Sequence, residues 1–193
     1  PPRIAPIQIV VVPIYKNDNE KSAVMAAVTR VKEALSDFRL KVDDREEVTP
    51  GFKFNDWEMR GVPLRIEIGP KDVEKGNVAL ARRDIPGRDG KSFLPEQDLS
   101  TQVGQVLDQI QNSLFNRALD FRKAHTYDPI DYSDLAESVT KGWASSWWCE
   151  DPACEAKVKE DTKATTRCIP FEQPDGEGIC IVCGKPAQRK VLF

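Results

Sequence analysis

The chain has 193 residues, of which 31% are charged and 40% are hydrophobic, and its formal net charge at pH 7 is −3. This composition is typical of a soluble globular protein rather than a disordered or membrane protein, because no apolar run approaches the ~20 residues needed to cross a bilayer. The slightly acidic balance also excludes nucleic-acid binding through global charge, so any such role needs a local basic patch.

The first half of the chain alternates between strand and helix patterns. The predicted elements are a strand at 7–14, a helix at 20–38, a short strand from 40 to 43, a helix at 52–60, strands at 62–69 and 77–84, and a hairpin loop at 86–90. In the first helix, apolar residues recur at intervals of three and four from Val24 to Phe38, which is the spacing of one buried face. Strands that alternate with helices predict an α/β sheet.

The second half begins with a long helix, predicted from Asp98 to about Arg122. Its buried stripe is expected to run from Val103 to Phe121. A shorter helix is predicted at 132–141, and the remaining residues hold all five cysteines and three of the four tryptophans. We expect a first domain at residues 1–123 and a second, smaller domain at 124–193.

Four cysteines are spaced as two close pairs, Cys149-x4-Cys154 and Cys180-x2-Cys183. Two such pairs brought together across a loop are typical of a tetrahedral thiolate site for Zn²⁺, and four thiolates leave no open position for catalysis. A disulfide framework is one alternative, but with five cysteines it would leave Cys168 unpaired. A redox-active C-x-x-C dithiol is a second alternative. Cys168 is expected to be a half-buried thiol outside the metal site.

The sequence also resembles a known family. The opening PPRIAPIQ at 1–8 and the string KFNDWEMRGVPLRIEIGPKD at 53–72 resemble the anticodon-binding domain of prolyl-tRNA synthetases. The last 50 residues, with their cysteine spacing and the TTRCIP stretch at 165–170, are similar to the zinc-binding C-terminal domain of the archaeal and eukaryotic type of that family.

This resemblance implies a fold and a limit on activity. It implies a class II synthetase anticodon-binding domain, with a mixed sheet flanked by helices, followed by a small α+β zinc-binding domain. The catalytic core that binds ATP and Mg²⁺ is absent, so we expect the chain alone to be inactive. Because the chain begins at Pro1 without a methionine, we also expect it to be a piece of a longer protein.

The resemblance assigns anticodon recognition to Glu58 and Arg65. Every proline anticodon carries two adjacent guanines, and guanine offers donors on its Watson–Crick edge and acceptors at O6 and N7. A carboxylate can accept from the first set and an arginine fork can donate to the second. The alternative is that Glu58 and Arg65 merely form a surface ion pair with each other.

Three further residues are weaker candidates for contacts to RNA. Phe54 lies beside the proposed readers and is a candidate to stack a base; the alternative is that it packs its helix onto the sheet. Arg88 and Lys91, at the hairpin, are candidates for phosphate contacts, although such charges are more often simply solvated.

The function implied is tRNA(Pro) anticodon recognition within proline–tRNA ligase, the ATP-dependent enzyme that joins proline to its tRNA. The implied partners are tRNA(Pro), the catalytic domain of the same chain and a second subunit of a homodimeric intact enzyme, with no membrane partner. The unpaired cysteines indicate a cytoplasmic location. The alternative function is a zinc-stabilised protein-interaction module that does not bind RNA.

Overall fold

The computed structural model describes residues 1–193, which form two units, Pro1–Arg117 and Ala118–Phe193. The elements of the first unit are β1 (Ile9–Pro13), α1 (Asp18–Ala34), β2 (Leu40–Val42), α2 (Pro50–Met59), β3 (Leu64–Ile68), α3 (Pro70–Lys75), β4 (Asn77–Arg82) and β5 (Lys91–Pro95), with α4 (Leu99–Ala124) beginning in this unit. Those of the second unit are β6 (Thr126–Tyr127), α5 (Tyr132–Ser138), β7 (Trp143–Trp148), α6 (Pro152–Thr162), β8 (Gly178–Ile179), β9 (Pro186–Ala187) and β10 (Arg189–Leu192).

The first unit is built on a five-stranded mixed sheet with the order β2-β1-β3-β4-β5. Strand β1 pairs in parallel with β2 and β3, whereas β4 is antiparallel to both β3 and β5. This arrangement confirms the predicted mixed sheet flanked by helices. Strand β1 is a continuous apolar run that is buried along its whole length, because both of its faces are covered.

The two faces of this sheet differ in size and chemistry. On one face, α1 and the first part of α4 bury a large apolar core. On the other face, Trp57 of α2 packs with Val10, Val12 and Val62 in a small cluster. Because α2 covers only this small cluster, polar side chains of β3 and β5 can lie beside it on the same face.

The predicted stripe on α4 is only partly correct. Val103, Leu107 and Ile110 are buried as expected, but Phe121 is 65% exposed and its ring stacks on His125 at 4.0 Å between centroids. The stripe ends early because the apolar core of the first unit reaches no further along α4 than Leu114.

The second unit contains a three-stranded sheet, β10-β7-β6, and a two-stranded sheet, β8-β9. Leu135, Val158 and Val191 from α5, α6 and β10 form its apolar core. A separate small cluster surrounds Cys154 and Cys180. No helix of the structure has both the length and the apolar character that a membrane crossing requires.

Candidate nucleic-acid interface and metal centre

Helix α2 fixes the position of Glu58. The helix begins at Pro50 because the Thr49 hydroxyl accepts a hydrogen bond from the Phe52 amide and proline is tolerated in the first turn. It ends before Gly61, whose φ of 81° lies in the left-handed region that favours glycine. Glu58 therefore lies exposed in the last turn, next to the buried Trp57.

A buried carboxylate anchors α2 to the end of β2. Asp43 accepts hydrogen bonds from the Trp57 indole at 2.7 Å and from the Arg45 guanidinium at 2.8 Å, and its carbonyl accepts from the ammonium of the buried Lys53. The hydrogen bonds from Arg45 lower the pKa of Asp43 to about 2; burial opposes this shift and the Trp57 indole adds to it. The helix that carries Glu58 is thus held by a charged, desolvated contact.

Arg65 is the second residue of β3, the central strand of the sheet, and lies on the face that α2 partly covers. Its register partners are Val10 on β1 and Ala81 on β4, and its side chain is only 16% exposed. Its Nε and Nη2 atoms both lie 3.0 Å from Oε1 of Glu67, and its guanidinium lies 4.1 Å from the Phe54 ring centroid. The Glu67 carboxylate therefore binds the Arg65 guanidinium at its edge, and the Phe54 ring packs against one of its faces.

Lys91 belongs to the same cluster, although it comes from a different strand. Its Nζ atom donates to Oε2 of Glu67 at 2.9 Å and lies 5.8 Å from the Phe54 ring centroid. Phe54, Arg65, Glu67 and Lys91 form what we call the Glu67 cluster. Sequence reasoning missed Glu67, and its only signal was its place two residues after Arg65 on the same face of a strand.

Glu58 and Arg65 line one small pocket of about 50 Å³. They form no ion pair with each other, because Arg65 pairs with Glu67 instead; the alternative of a mutual surface ion pair is therefore wrong. Arg83, also at this pocket, donates from Nε to the Glu58 carbonyl at 2.9 Å and so stabilises the end of α2. The roles of Glu58 and Arg65 as base readers stay predictions.

Arg88 lies on a short 3-10 turn, Gly87–Gly90, that precedes β5. It is exposed and makes no ion pair or side-chain hydrogen bond in the structure. Gly90 of this turn is buried where an added Cβ would lie 2.1 Å from the Ile85 carbonyl oxygen, so the turn requires glycine there. Arg88 is thus a free cation on a tightly constrained turn.

The two cysteine pairs come together in the second unit. Cys149 follows β7 and Cys154 lies in the first turn of α6, while Cys180 and Cys183 lie in the turn between β8 and β9. This turn is closed by a hydrogen bond from the Gly184 amide to the Cys180 carbonyl, and Gly184 has a φ of 71°.

The geometry of the four sulfurs fits a metal ion. All four Sγ atoms lie within 4.8 Å of one another, and Cys149 Sγ is 3.6 Å from those of Cys154 and Cys183. Thiolates about 2.3 Å from a tetrahedral zinc ion lie about 3.8 Å apart, whereas a disulfide needs about 2.0 Å. All the cysteines are free thiols, so the cluster can hold a metal ion and the disulfide alternative is wrong.

The pKa values of the cysteines in this cluster also indicate that the four thiolates need a bound cation. Burial raises the pKa of the Cys149 and Cys154 thiols. Burial acts in the same direction on Cys180, but the backbone amides of Cys183, Val182 and Cys149 outweigh it and lower the pKa of Cys180 to about 7. Four sulfurs this close become thiolates together only when a cation compensates their charge.

Cys168 lies outside this cluster, as predicted, but it is exposed rather than half-buried. It forms only an isolated bridge with Leu192 of β10. Its side chain belongs to neither apolar cluster of the second unit, so the thiol remains accessible to solvent.

Comparison with known proteins assigns both units. Residues 8–92 match the family model described as "Anticodon binding domain", and residues 132–193 match the one described as "Prolyl-tRNA synthetase, C-terminal". The first match contains Glu58, Arg65 and the rest of the Glu67 cluster, and the second contains all four cysteines of the metal-site candidate.

Curated relatives match the whole chain. The chain is 54% identical over 194 residues to "Proline--tRNA ligase" of Chloroflexus aurantiacus, and 52% identical to that of Roseiflexus castenholzii; each match covers 100% of this chain and 40% of the relative. It is also 48% identical over 199 residues to "Proline--tRNA ligase, chloroplastic/mitochondrial" of Arabidopsis thaliana, covering 37% of that protein. The chain thus spans about 40% of the length of these relatives, and it corresponds to the C-terminal region of a prolyl-tRNA synthetase, in which an anticodon-binding domain precedes the C-terminal domain of that family.

Proposed function

We propose that the chain recognises the anticodon of tRNA(Pro) within an archaeal/eukaryotic-type prolyl-tRNA synthetase, the class II ligase that joins proline to its tRNA with ATP. One observation carries the proposal: a carboxylate and a guanidinium, Glu58 and Arg65, line the same pocket of a unit that matches an anticodon-binding domain. Glu58 and Arg65 form no ion pair with each other, so both side chains are available to form hydrogen bonds with a base.

The chemistry of two adjacent guanines suits this pair. The Glu58 carboxylate accepts from the N1–H and N2 amino donors of one guanine, and Arg65 donates to O6 and N7 of the other. Each bidentate contact of this kind contributes roughly 1–3 kcal/mol of discrimination against another base. Glu67 occupies Nε and Nη2 of Arg65 but leaves Nη1 without a partner, so the outer end of the fork can still donate.

The weaker candidates have supporting roles in this proposal. Arg88 and Lys91 contact RNA phosphates, and Lys91 does so while paired with Glu67. Phe54 stabilises Arg65 by stacking, which leaves only its remaining surface for a base. These contacts add affinity without sequence information, because phosphate contacts are the same for every base.

We further propose that Cys149, Cys154, Cys180 and Cys183 bind Zn²⁺ as a structural ion. The two functional domains are residues 1–123 and 124–193, and zinc stabilises the second, whose apolar clusters are small. ATP and Mg²⁺ belong to the catalytic core outside this chain, so the chain alone does not activate proline. The other partners are that core and, in the intact homodimeric enzyme, a second subunit; the location is cytoplasmic.

The decisive experiment separates recognition from chemistry. In the intact enzyme, Arg65→Ala is expected to lower aminoacylation of tRNA(Pro) at least tenfold, since one bidentate contact is lost, while proline-dependent ATP–pyrophosphate exchange stays nearly unchanged. Lys32→Ala is the matched control, because Lys32 is an exposed cation on α1 without an ion pair. Equal losses in both assays would refute the proposed role.

A protein-interaction module without RNA binding is the second candidate. A groove of about 820 Å³ in the second unit favours it, because the groove is lined by Trp143 and Leu192 and by the fully exposed Phe171. Titration of the 193-residue chain with a proline anticodon stem-loop, and with one whose two guanines are replaced by adenines, distinguishes the candidates. Tight, guanine-dependent binding supports the first, and no binding to either RNA supports the second.

A further inference from the structure

Glu67 is a nearly buried acid with two cationic partners from two strands. Its side chain is 9% exposed, and its two oxygens are divided between them: Oε1 accepts from Arg65 on its own strand, and Oε2 accepts from Lys91 on β5. The distances, 3.0 Å and 2.9 Å, are those of charge-assisted hydrogen bonds. No assigned role accounts for this acid at the centre of the face that carries Arg65.

We propose that Glu67 is a positioning residue that fixes the orientation of the Arg65 guanidinium and thereby sets the selectivity for guanine, an inference that rests on the proposed function. Glu67 does not contact the base itself. It acts by holding one side of the arginine fork, so that the other end is presented in a single orientation to the pocket shared with Glu58.

The geometry restricts Arg65 in two directions. Contacts from Nε and Nη2 to one carboxylate oxygen prevent rotation of the guanidinium within its plane, and the Phe54 ring at 4.1 Å restricts tilting out of that plane. A free arginine loses several rotatable bonds on binding, whereas a guanidinium already held by the protein loses little further freedom. Selectivity follows because a fork held in one orientation rejects a base whose acceptors lie elsewhere.

Stability alone does not account for Glu67. A buried ion pair recovers little more than its desolvation penalty, and well-packed apolar residues often stabilise a fold equally well. The apolar face of β1 beside this site shows that such packing is available here, since Val10 and Val12 are fully buried. The carboxylate is needed for something an apolar residue cannot do, namely to accept hydrogen bonds from Arg65.

Simple electrostatics and positioning predict different effects of removing Glu67. The carboxylate neutralises part of the positive charge of Arg65 and Lys91, so its loss should strengthen attraction to RNA of any sequence. Positioning predicts that its loss weakens discrimination between guanine and other bases. The ratio of affinities for two loops therefore separates positioning from electrostatics, whereas a single affinity would not.

The test uses the 193-residue chain, a proline anticodon stem-loop and the same stem-loop with adenines in place of the two guanines. The affinity ratio is measured for the unsubstituted chain, for Glu67→Gln, for Arg65→Ala and for the double variant. Glu67→Gln keeps the shape of the side chain and removes its charge. Glu74→Gln is the charge-matched control, because Glu74 is exposed on α3 and makes no ion pair.

We expect Glu67→Gln to lower the affinity ratio about tenfold, within the range of one bidentate base contact, while binding to the adenine loop is unchanged or stronger. In the Arg65→Ala background the same substitution should change the ratio by less than about twofold, because its effect passes through Arg65. Glu74→Gln should leave the ratio unaltered.

Three other outcomes would overturn the inference, and they show whether the positioning role or the proposed function is wrong. If Arg65→Ala abolishes selectivity but Glu67→Gln retains it, positioning by Glu67 is wrong and the proposed function stands. If Glu67→Gln weakens binding to both loops equally, the role is merely structural. If the unsubstituted chain does not distinguish the loops, the proposed function fails first. Thermal unfolding of each variant confirms that it is folded before its ratio is compared.

Discussion

The anchor between Asp43 and Trp57 yields a prediction that links stability to the site. We expect Asp43→Asn to lower the free energy of unfolding of the first unit, because the substitution removes the charge that Arg45 and the Trp57 indole both stabilise. Asp43 is 3% exposed, so solvent cannot replace these partners. Helix α2, which carries Glu58, should be the part of the fold most affected.

The magnitude follows from the pKa of Asp43. The Arg45 hydrogen bonds lower this pKa from its ordinary value of 3.8 to about 2. At about 1.4 kcal/mol for each pKa unit, the difference corresponds to about 2 kcal/mol of stability at pH 7. Since the folded pKa is the lower one, the contribution is complete above pH 4 and is lost as the pH falls through 2. By the same relation about half of it remains at pH 3.

The assay is hydrogen exchange with mass spectrometry on peptides from α2, which measures the opening of this helix separately from the second unit. Asp43→Asn should reduce protection by about 2 kcal/mol at pH 7 and by about 1 kcal/mol at pH 3. Asp44→Asn is the matched control, because Asp44 is the exposed neighbour and forms no ion pair. A loss of the same size at both pH values, after subtraction of the control, would refute the electrostatic account.

Three further outcomes are expected. Native mass spectrometry should detect one zinc ion per chain; Cys154→Ser should lose it and Cys168→Ser should keep it, and loss of zinc from the latter would contradict the assignment of ligands. Gly178→Ala should destabilise the second unit by about 1–3 kcal/mol, since the new Cβ would lie 2.2 Å from the Trp147 ring, whereas Gly51→Ala, with open space around it, should be neutral or slightly stabilising; equal thermal stability of the two variants would contradict this. The affinity for the anticodon stem-loop should fall with salt at a logarithmic slope of about −1.4, as expected for two cations, Arg88 and Lys91, at single-stranded phosphates, and a flat response would exclude these contacts.

Much of the first unit follows from hydrophobic spacing. The apolar run that forms β1 and the stripe on α1 depend on local periodicity, and the structure confirms both. The helix predicted from residue 52 begins two residues earlier, at Pro50, because a stretch such as Thr49-Pro50-Gly51 is also typical of a turn. Here the same threonine caps the helix and the same proline begins it, and sequence alone does not tell these uses apart.

The site is predictable only where its residues are close in sequence. The family resemblance predicts that Glu58, on a helix, and Arg65, on the next strand, act together, and the structure brings both to one pocket. The second partner of Glu67, Lys91, could not be chosen from spacing, because only the register of β3, β4 and β5 brings Lys91 to Glu67. Spacing predicts the cysteine cluster, because the two cysteines of each pair are close in sequence and two such pairs are typical of a thiolate metal site.

The distribution of charge explains how a chain with a net charge of −3 can carry the proposed RNA-recognition site. Several cations near the pocket are already engaged within the fold: Arg82 pairs with Asp84, and Arg83 donates to the carbonyl of Glu58. What remains for RNA is the outer end of Arg65, the half-exposed Lys91 and Arg88. So few free cations attract phosphate only weakly, and on the proposed function the contacts to base edges must supply most of the binding free energy. A side chain that orients Arg65 then matters more here than it would on a strongly basic surface, where non-specific attraction would hide its effect.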